Sequence, residues 1–487
     1  MISRTVPASE THPDNPPMGS LFSELLLLGA RVDFQDFVLA ALLLLGVAIG
    51  LLALVVSNWK NGATRRLLRR MFGRNYRERP VVSRSFSKLD LPNVRRAIEA
   101  YVQQHGAELM VRSVGGRVNL ADSGLTDTGE SYVQVDIDVD EREDCLMNAV
   151  WLVRGPGIVR AILTAGHASL MEVMAPTREE AGECLQELRR LIRQHSVYRG
   201  RVISIEARSC GDDYESVTAT GGTHVRFHRL PPVASDAIVL PEDTMKRIKR
   251  NTVGFFQKVD RLKQHGFSAR RGLLFHGPPG TGKTRTACWL THSLPGVTVF
   301  LVTGEQLWNI RESCQLAREL APAMLILEDV DLIATRRDAS FQTTALHQLM
   351  NEMDGLDSAS ELLFLLTTNQ PDQIEQALAN RPGRIDQAIH FPLPDDQCRQ
   401  RLVELYSNQS TLQISDWPTL LKRTSGASPA FIKELVRKAA MISVESSDEP
   451  SDALVLNDEH FREACAEMTS GDGSITRRLT GFAAPPV

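Results

Sequence analysis

A short run, Gly272-Leu273-Leu274-Phe275-His276, leads without a break into Gly277-Pro278-Pro279-Gly280-Thr281-Gly282-Lys283-Thr284. No other feature limits the fold of this chain as strongly. The octapeptide satisfies G-x-x-x-x-G-K-[ST] in the context that pattern requires, a strand before it and a helix after it. Its glycines let successive backbone N–H groups turn inward around an anion. Lys283 brings a positive charge to the β- and γ-phosphates of a nucleotide, and Thr284 a hydroxyl for Mg2+. The helix starting near Lys283 adds its positive end. The bare pattern can arise by chance in a long chain, so its weight depends on the residues downstream.

From Arg271 onward the sequence alternates strand, loop and helix, which predicts a parallel sheet flanked by helices. The expected strands are Gly272–His276, Val297–Val302, Met324–Leu327, Leu362–Thr367 and Gln387–Phe391. Met324-Leu325-Ile326-Leu327 ends in Glu328-Asp329, followed by Val330-Asp331. An apolar strand ending in paired carboxylates fits a metal-and-water site, one acid holding the Mg2+ shell and the other polarising a water. Alone it would be a buried strand with a solvated acidic end. Leu366-Thr367-Thr368-Asn369 ends a further strand in an amide able to orient that water; a plain strand-end turn before Pro371 is the simpler reading. Asn380-Arg381-Pro382-Gly383-Arg384 offers an arginine on a rigid turn, suited to a neighbouring phosphate or to ordinary surface pairing.

Upstream, Phe37–Val56 contains no charge and is about as long as the 20 residues a membrane-spanning helix needs. Trp59 follows, then Lys60, Arg65, Arg66, Arg69, Arg70, Arg74, Arg77 and Arg79, against only Arg4 and Arg31 before the run. This asymmetry predicts one span with the N-terminus outside and the rest of the chain on the cytoplasmic or mitochondrial matrix side. A cleaved signal peptide would carry a basic start and a shorter run. The amphipathic basic stretch Thr64–Phe72 is expected on the inner membrane surface.

The expected organisation is a disordered segment over 1–35, a transmembrane helix over 37–56 and a basic juxtamembrane segment over 57–85. A smaller α+β middle domain comes next over 86–229, then the α/β core over 230–395, a helical lid over 396–468 and a flexible tail over 469–487. In the middle domain, helices are expected at Leu91–His105 and Glu179–His195 and strands at Tyr132–Val139 and Arg201–Ala207; no catalytic constellation is visible there. Ile238-Val239-Leu240-Pro241 leads into one helix over Asp243–Gln264. The formal net charge of -4 gives no global field toward nucleic acid. The 7 cysteines, none in a CxxC pair, read as free thiols in a reducing compartment.

The four motifs, in this order, resemble the AAA ATPase family over Arg271 to about Met441. The resemblance implies a five-stranded phosphate-loop sheet with a helical lid, ATP and Mg2+ as ligands, ATP hydrolysis, and a homo-oligomeric ring of six or seven subunits. It places ATP on Gly277, Pro278, Pro279, Gly280, Thr281, Gly282, Lys283 and Thr284, with Gly426 and Ala427 in a lid turn beside adenine and ribose. It places Mg2+ on Thr284 and Glu328, and assigns Glu328, Asp329, Asn369 and Arg384 to catalysis, Asn369 as sensor and Arg384 as arginine finger. Most of the family has Asp-Glu where this chain has Glu328-Asp329, so the division of roles within that pair stays open. A second arginine common after the finger is replaced by Gln387. Gly304 to Arg311 lacks an aromatic-hydrophobic-Gly pore loop; Trp308 could serve there or simply pack. The layout, with Leu-Glu-Asp and Arg-Pro-Gly-Arg, is similar to the membrane-anchored Rieske-protein translocase type. Membrane-anchored proteases fit less well, since H-E-x-x-H is missing. The implied function is remodelling or translocation of a protein client, chaperone-like, with a nucleotide-gated scaffold or regulator of a membrane complex, of little turnover, as the alternative.

Overall fold

The computed structural model describes residues 62–469 apart from 116–119, 121–125, 128–130, 167–168, 208–222, 305, 332–347, 350, 354–359, 373–383, 409 and 447–453. The expected span at 37–56, the segment 1–35, residues 470–487 of the tail and the turn 381–383 lie outside the described residues. Among the described residues no helix is long and apolar enough to cross a membrane.

The first layer is a six-stranded sheet. Helix α1 (62–72) precedes β1 (Val81–Ser85), α2 (Leu91–Gln104), β2 (Glu108–Gly115), β3 (Thr126–Asp127), a separate hairpin of β4 (Tyr132–Asp138) and β5 (Glu141–Leu146), β6 (Asn148–Gly155), β7 (Ile158–Ala165), β8 (Leu170–Met174) and α3 (Arg178–Gln194). The strand order is β1-β8-β7-β6-β2-β3. Period-two alternation sends Ala149, Trp151 and Val153 to one face against α2 and α3, and Val150 and Leu152 to the other. That second face is covered by α1 through Leu68 and Phe72, with Tyr76 just beyond the helix. The apolar residues of the basic stretch Thr64–Phe72 are thus spent on the domain, because the apolar centre of β6, Ala149–Val153, needs both faces covered.

The chain then enters a second, seven-stranded sheet earlier than expected. Strands β9 (Val202–Ala207) and β10 (Thr223–Phe227) precede α4 (Glu242–Asn251), α5 (Val253–Gln264), β11 (Arg270–His276), α6 (Lys283–Ser293), β12 (Thr298–Val302), α7 (Ile310–Glu319), β13 (Ala323–Leu327), β14 (Leu362–Thr368) and β15 (Gln387–His390). The order is β10-β9-β12-β13-β14-β11-β15. All pairs are parallel except β10 with β9. The five expected strands are present, and two more from before residue 230 extend them. The boundary expected at 229/230 therefore falls within one sheet. The single helix expected over Asp243–Gln264 is two. Thr252 sits between them at φ -119, ψ -86, its hydroxyl donating to the Ile248 carbonyl at 2.7 Å. Such back-bonding competes with helix continuation. Next to it, Asn251 donates to the Gln387 side chain at 2.8 Å, tying α4 to β15.

A helical unit closes the chain: α8 (Asp396–Tyr406), β16 (Thr411–Gln413), α9 (Trp417–Arg423), α10 (Pro429–Glu445), β17 (Val455–Asn457) and α11 (Asp458–Thr469). Three of its helices carry side-chain caps the sequence supplies. Asp395 accepts from the Cys398 N–H, Asp416 from that of Thr419 and Ser428 from that of Phe431. Leu402, Phe431, Leu435 and Phe461 share one core.

The two sheets are joined through buried groups. The Tyr198 hydroxyl donates to the Leu89 carbonyl at 2.7 Å, the Val197 N–H to the Asn93 side chain at 2.9 Å, and Arg199 to the Ala321 carbonyl at 3.1 Å. Asp90 is buried at this joint. Burial, and then the Glu319 carboxylate facing it from α7, push its pKa up to about 7; the Asn93 amide and Arg193 act the other way. Its folded pKa lies above the ordinary carboxyl value, so its contribution favours folding at low pH and is lost as pH rises toward 7. Asp90→Asn keeps the acceptor and removes the charge. The melting temperature of the full chain should rise by several degrees in this variant at pH 8 and by much less at pH 5; the ceiling is about 4 kcal/mol at about 1.4 kcal/mol per unit. An equal shift at both pH values would show that Asp90 does not titrate in this range.

Candidate nucleotide site

Parallel pairing places the functional strand ends level with one another. His276 lies opposite Thr368, and Leu327 opposite Leu366, so the loop after β11, the acids after β13 and the amide after β14 emerge along one edge of the sheet. The loop itself needs glycine. Gly277 has φ +147, and a Cβ there would stand 2.3 Å from the Phe391 carbonyl oxygen; Gly280 has φ +74, and its Cβ would meet the Ala430 methyl at 2.8 Å. Gly282, at φ 97, precedes α6 as its N-cap.

Lys283 is folded back into the loop. Its ammonium donates to the carbonyls of Gly277 at 2.8 Å and Pro278 at 2.9 Å. Burial lowers its pKa to about 8, while Asp329 and Asp331 oppose that shift. The loop is braced by the Thr281 hydroxyl on the Pro278 carbonyl at 2.8 Å. Phosphate oxygens would replace the carbonyls as the partners of this cation.

The acidic pair divides along a clear line. Thr284 donates to Glu328, whose pKa burial and Asp329 push up and Thr284 pulls down. Asp329 is one of three non-glycine residues with positive φ among the described residues, at 47°, a conformation Asp tolerates better than most residues. It is held there by its N–H on the Thr367 hydroxyl at 3.0 Å and by the Asn369 amide, which donates to its carboxylate at 3.2 Å. Asp331 accepts from the Asn369 N–H at 3.2 Å and so fixes the backbone of that residue. Glu328 thus pairs with the Thr284 hydroxyl and Asp329 with the Asn369 amide. A hydroxyl and a carboxylate side by side suit Mg2+, which takes few protein oxygens and completes its shell with water and phosphate.

A cavity of about 370 Å³ joins these groups. Pro279, Gly280, Thr281, Gly282, Lys283, Thr284, Asp329 and Asn369 line it. Gly277, Pro278 and Glu328 stand behind that lining, reaching it through Lys283 and Thr284. Gly426 and Ala427 do not reach it: Gly426 makes the turn at φ +77 and Ala427 is fully buried, while Pro429, Ala430 and Lys433 of α10 face the cavity instead. Arg384 lies elsewhere. Its side chain is 5% exposed and its backbone packs on Gly272, near the end of β11 remote from the loop, rather than on display. Burial and the neighbouring Arg270 lower its pKa. The remaining wall escaped sequence reasoning. It is formed by Ala237–Leu240 before α4, and by Leu402 and Tyr406 one helical turn apart on α8. The apolar Ile238-Val239-Leu240 beside Pro241 was the available signal. Trp308 belongs to the residues whose side-chain placement is not described.

A phosphate loop on a parallel sheet of order β12-β13-β14-β11-β15, closed by a helical lid, defines a phosphate-loop nucleotide-binding module. Residues 273–393 match the family model described as "ATPase family associated with various cellular activities (AAA)", and this stretch of the chain is an AAA module. The chain is 31% identical over 221 residues to an ATP-dependent zinc metalloprotease FtsH of Lancefieldella parvula, covering 42% of this chain and 34% of that one. It is 31% identical over 227 residues to a proteasome-activating nucleotidase of Methanosarcina mazei, covering 43% and 52%. It is 30% identical over 230 residues to the 26S proteasome regulatory subunit 6A of Schizosaccharomyces pombe, covering 44% and 50%. The chain thus spans from about a third to about half of these relatives.

Lys283 supplies a direct test of the cavity. An anionic ligand favours its charged form, so affinity for a fluorescent ATP analogue should be highest below pH 8. It should fall above that, approaching about tenfold per pH unit. Lys283→Arg, which stays charged, should flatten the profile. A wild-type profile flat from pH 7 to 9.5 would place the phosphates away from Lys283.

Proposed function

We propose that this chain hydrolyses Mg-ATP in a homo-oligomeric ring and uses the cycle to remodel or translocate a protein client at a membrane. The observation that carries the reading is the pair of contacts behind the phosphate loop, Thr284 with Glu328 and Asn369 with Asp329. They suit one acid to the metal shell and the other to the attacking water. Asp329 would take the proton as water attacks the γ-phosphate, Asn369 would orient that water, and Lys283 would hold the phosphates. Mg2+, when bound on Thr284 and Glu328, supplies charge neutralisation at the phosphates. Arg384 enters through assembly: buried in one chain, it would turn outward to a neighbour's nucleotide. The names of the relatives, a metalloprotease and two proteasome ATPase-type proteins, support a protein as client. Phe37–Val56 supports the membrane anchor.

One feature favours moving the client without threading it. The segment after β12 is fastened to β9: Gln306 donates to Glu206 at 3.2 Å and Asn309 to the Ile205 carbonyl at 3.3 Å. A segment held in this way is poorly placed to grip an extended chain. The test is phosphate release by the full chain. The wild type should turn over ATP, Lys283→Ala should not bind it, and Asp329→Asn should bind and assemble with turnover reduced on the order of 10²-fold. Assembly with ATP but turnover no greater than that of Lys283→Ala would leave the nucleotide-gated scaffold as the correct reading.

A further inference from the structure

The docking of α1 leaves one face of the first domain strongly charged. The helix turns Thr64, Leu68 and Phe72 inward at four-residue intervals. Arg66, Arg69 and Arg70 are exposed on its other side, and Arg74, Arg77 and Arg79 are exposed on the segment beyond it, where Tyr76 again points inward. Glu78 is the single acidic residue from 60 through 89. None of the ion pairs among the described residues includes any of these six arginines. The chain as a whole carries a net charge of -4, so this concentration is local.

Six like charges held on a folded surface repel one another, and a counter-surface of opposite charge relieves that repulsion. Leu68 and Phe72, which would sink an amphipathic helix into a bilayer, are here inside the domain, with Leu67 and Met71 packed partly against the same core, so the exposed side of the helix acts chiefly by charge. The apolar run ending at Val56 lies ten residues before Arg66, so a span there would bring the face close to a bilayer. We propose that the Arg66–Arg79 face is a docking surface for anionic lipid headgroups, pressing the six-stranded domain against the membrane electrostatically and without insertion. The proposal rests on the reading of 37–56 as the anchor. It adds that the orientation of the domain depends on lipid charge and on salt, since such attraction is screened beyond about 8–10 Å at ordinary ionic strength.

The full chain is incorporated into lipid discs of phosphatidylcholine alone or with about 30 mol% phosphatidylglycerol, a fraction giving a clearly negative surface. Each disc carries a trace of lipid with a photoreactive headgroup. Labelling of residues 62–79 should be at least about threefold higher in anionic discs, and should fall to the neutral level at about 0.5 M salt. The quadruple variant Arg66→Gln, Arg69→Gln, Arg70→Gln, Arg74→Gln should lose the difference, and the matching four Arg→Lys changes should keep it. Equal labelling in the two discs would overturn the proposal, as would labelling confined to other segments or an unchanged quadruple Gln variant. A short DNA duplex that the protein holds equally well in both discs, with no lipid preference, would assign the face to nucleic acid and also overturn it. Failure of the anchor is seen separately, as failure to incorporate into either disc.

Discussion

The register of the central parallel strands is the constraint on which the site depends. Pairing His276 with Thr368 and Leu327 with Leu366 brings a phosphate grip, an acid pair and an amide to one level. None of these groups could act alone. Lys283 would be a lysine hydrogen-bonded to its own loop, and Asp329 a carboxylate in an unfavourable backbone conformation. Parallel pairing makes each the neighbour of the next, and the glycines at 277 and 280 allow the backbone from Phe391 and the lid to close within van der Waals range.

The paired acids are told apart by their surroundings rather than by residue order. Glutamate before aspartate reverses the usual family order, and side-chain length alone does not say which acid meets the metal. Thr284 reaches the longer side chain, and the αL backbone at Asp329 brings the shorter one under Asn369. A positive φ at a non-glycine residue costs on the order of 1 kcal/mol or more, and two hydrogen bonds, one donated by Asp329 to Thr367 and one accepted from Asn369, offset it.

The motifs legible in the sequence were local ones. The strand before the phosphate loop, the apolar strand before Glu328 and the cap at Ser428 each declare themselves within a dozen residues, and each forms where its pattern predicts. What escaped reading depends on partners far away in the chain. Thr252 breaks a helix by bonding to Ile248, although the hydrophobic periodicity runs through it. Tyr406 lines the nucleotide cavity only because the lid folds over the loop. The basic stretch around Leu68 has the pattern of an amphipathic surface helix, and its apolar side is taken up by a sheet with two apolar faces. Arg384 has the sequence setting of a displayed arginine, yet the close approach of its backbone to Gly272 draws it inward.

Strand β9 joins the two halves of the molecule in a way the linear order hides. It pairs with β12 through Val299 and Phe300, and at its flank the Arg201 carbonyl accepts the Val299 N–H at 2.8 Å. A nucleotide module cut at residue 230 would lose this cover and expose β12 as a bare edge of buried valine and phenylalanine. Such an edge recruits any other strand it meets. Strands β9 and β10, which precede residue 230, therefore cover the edge that β12 would otherwise present, so the sheet around the phosphate loop is built from both sides of that point in the chain.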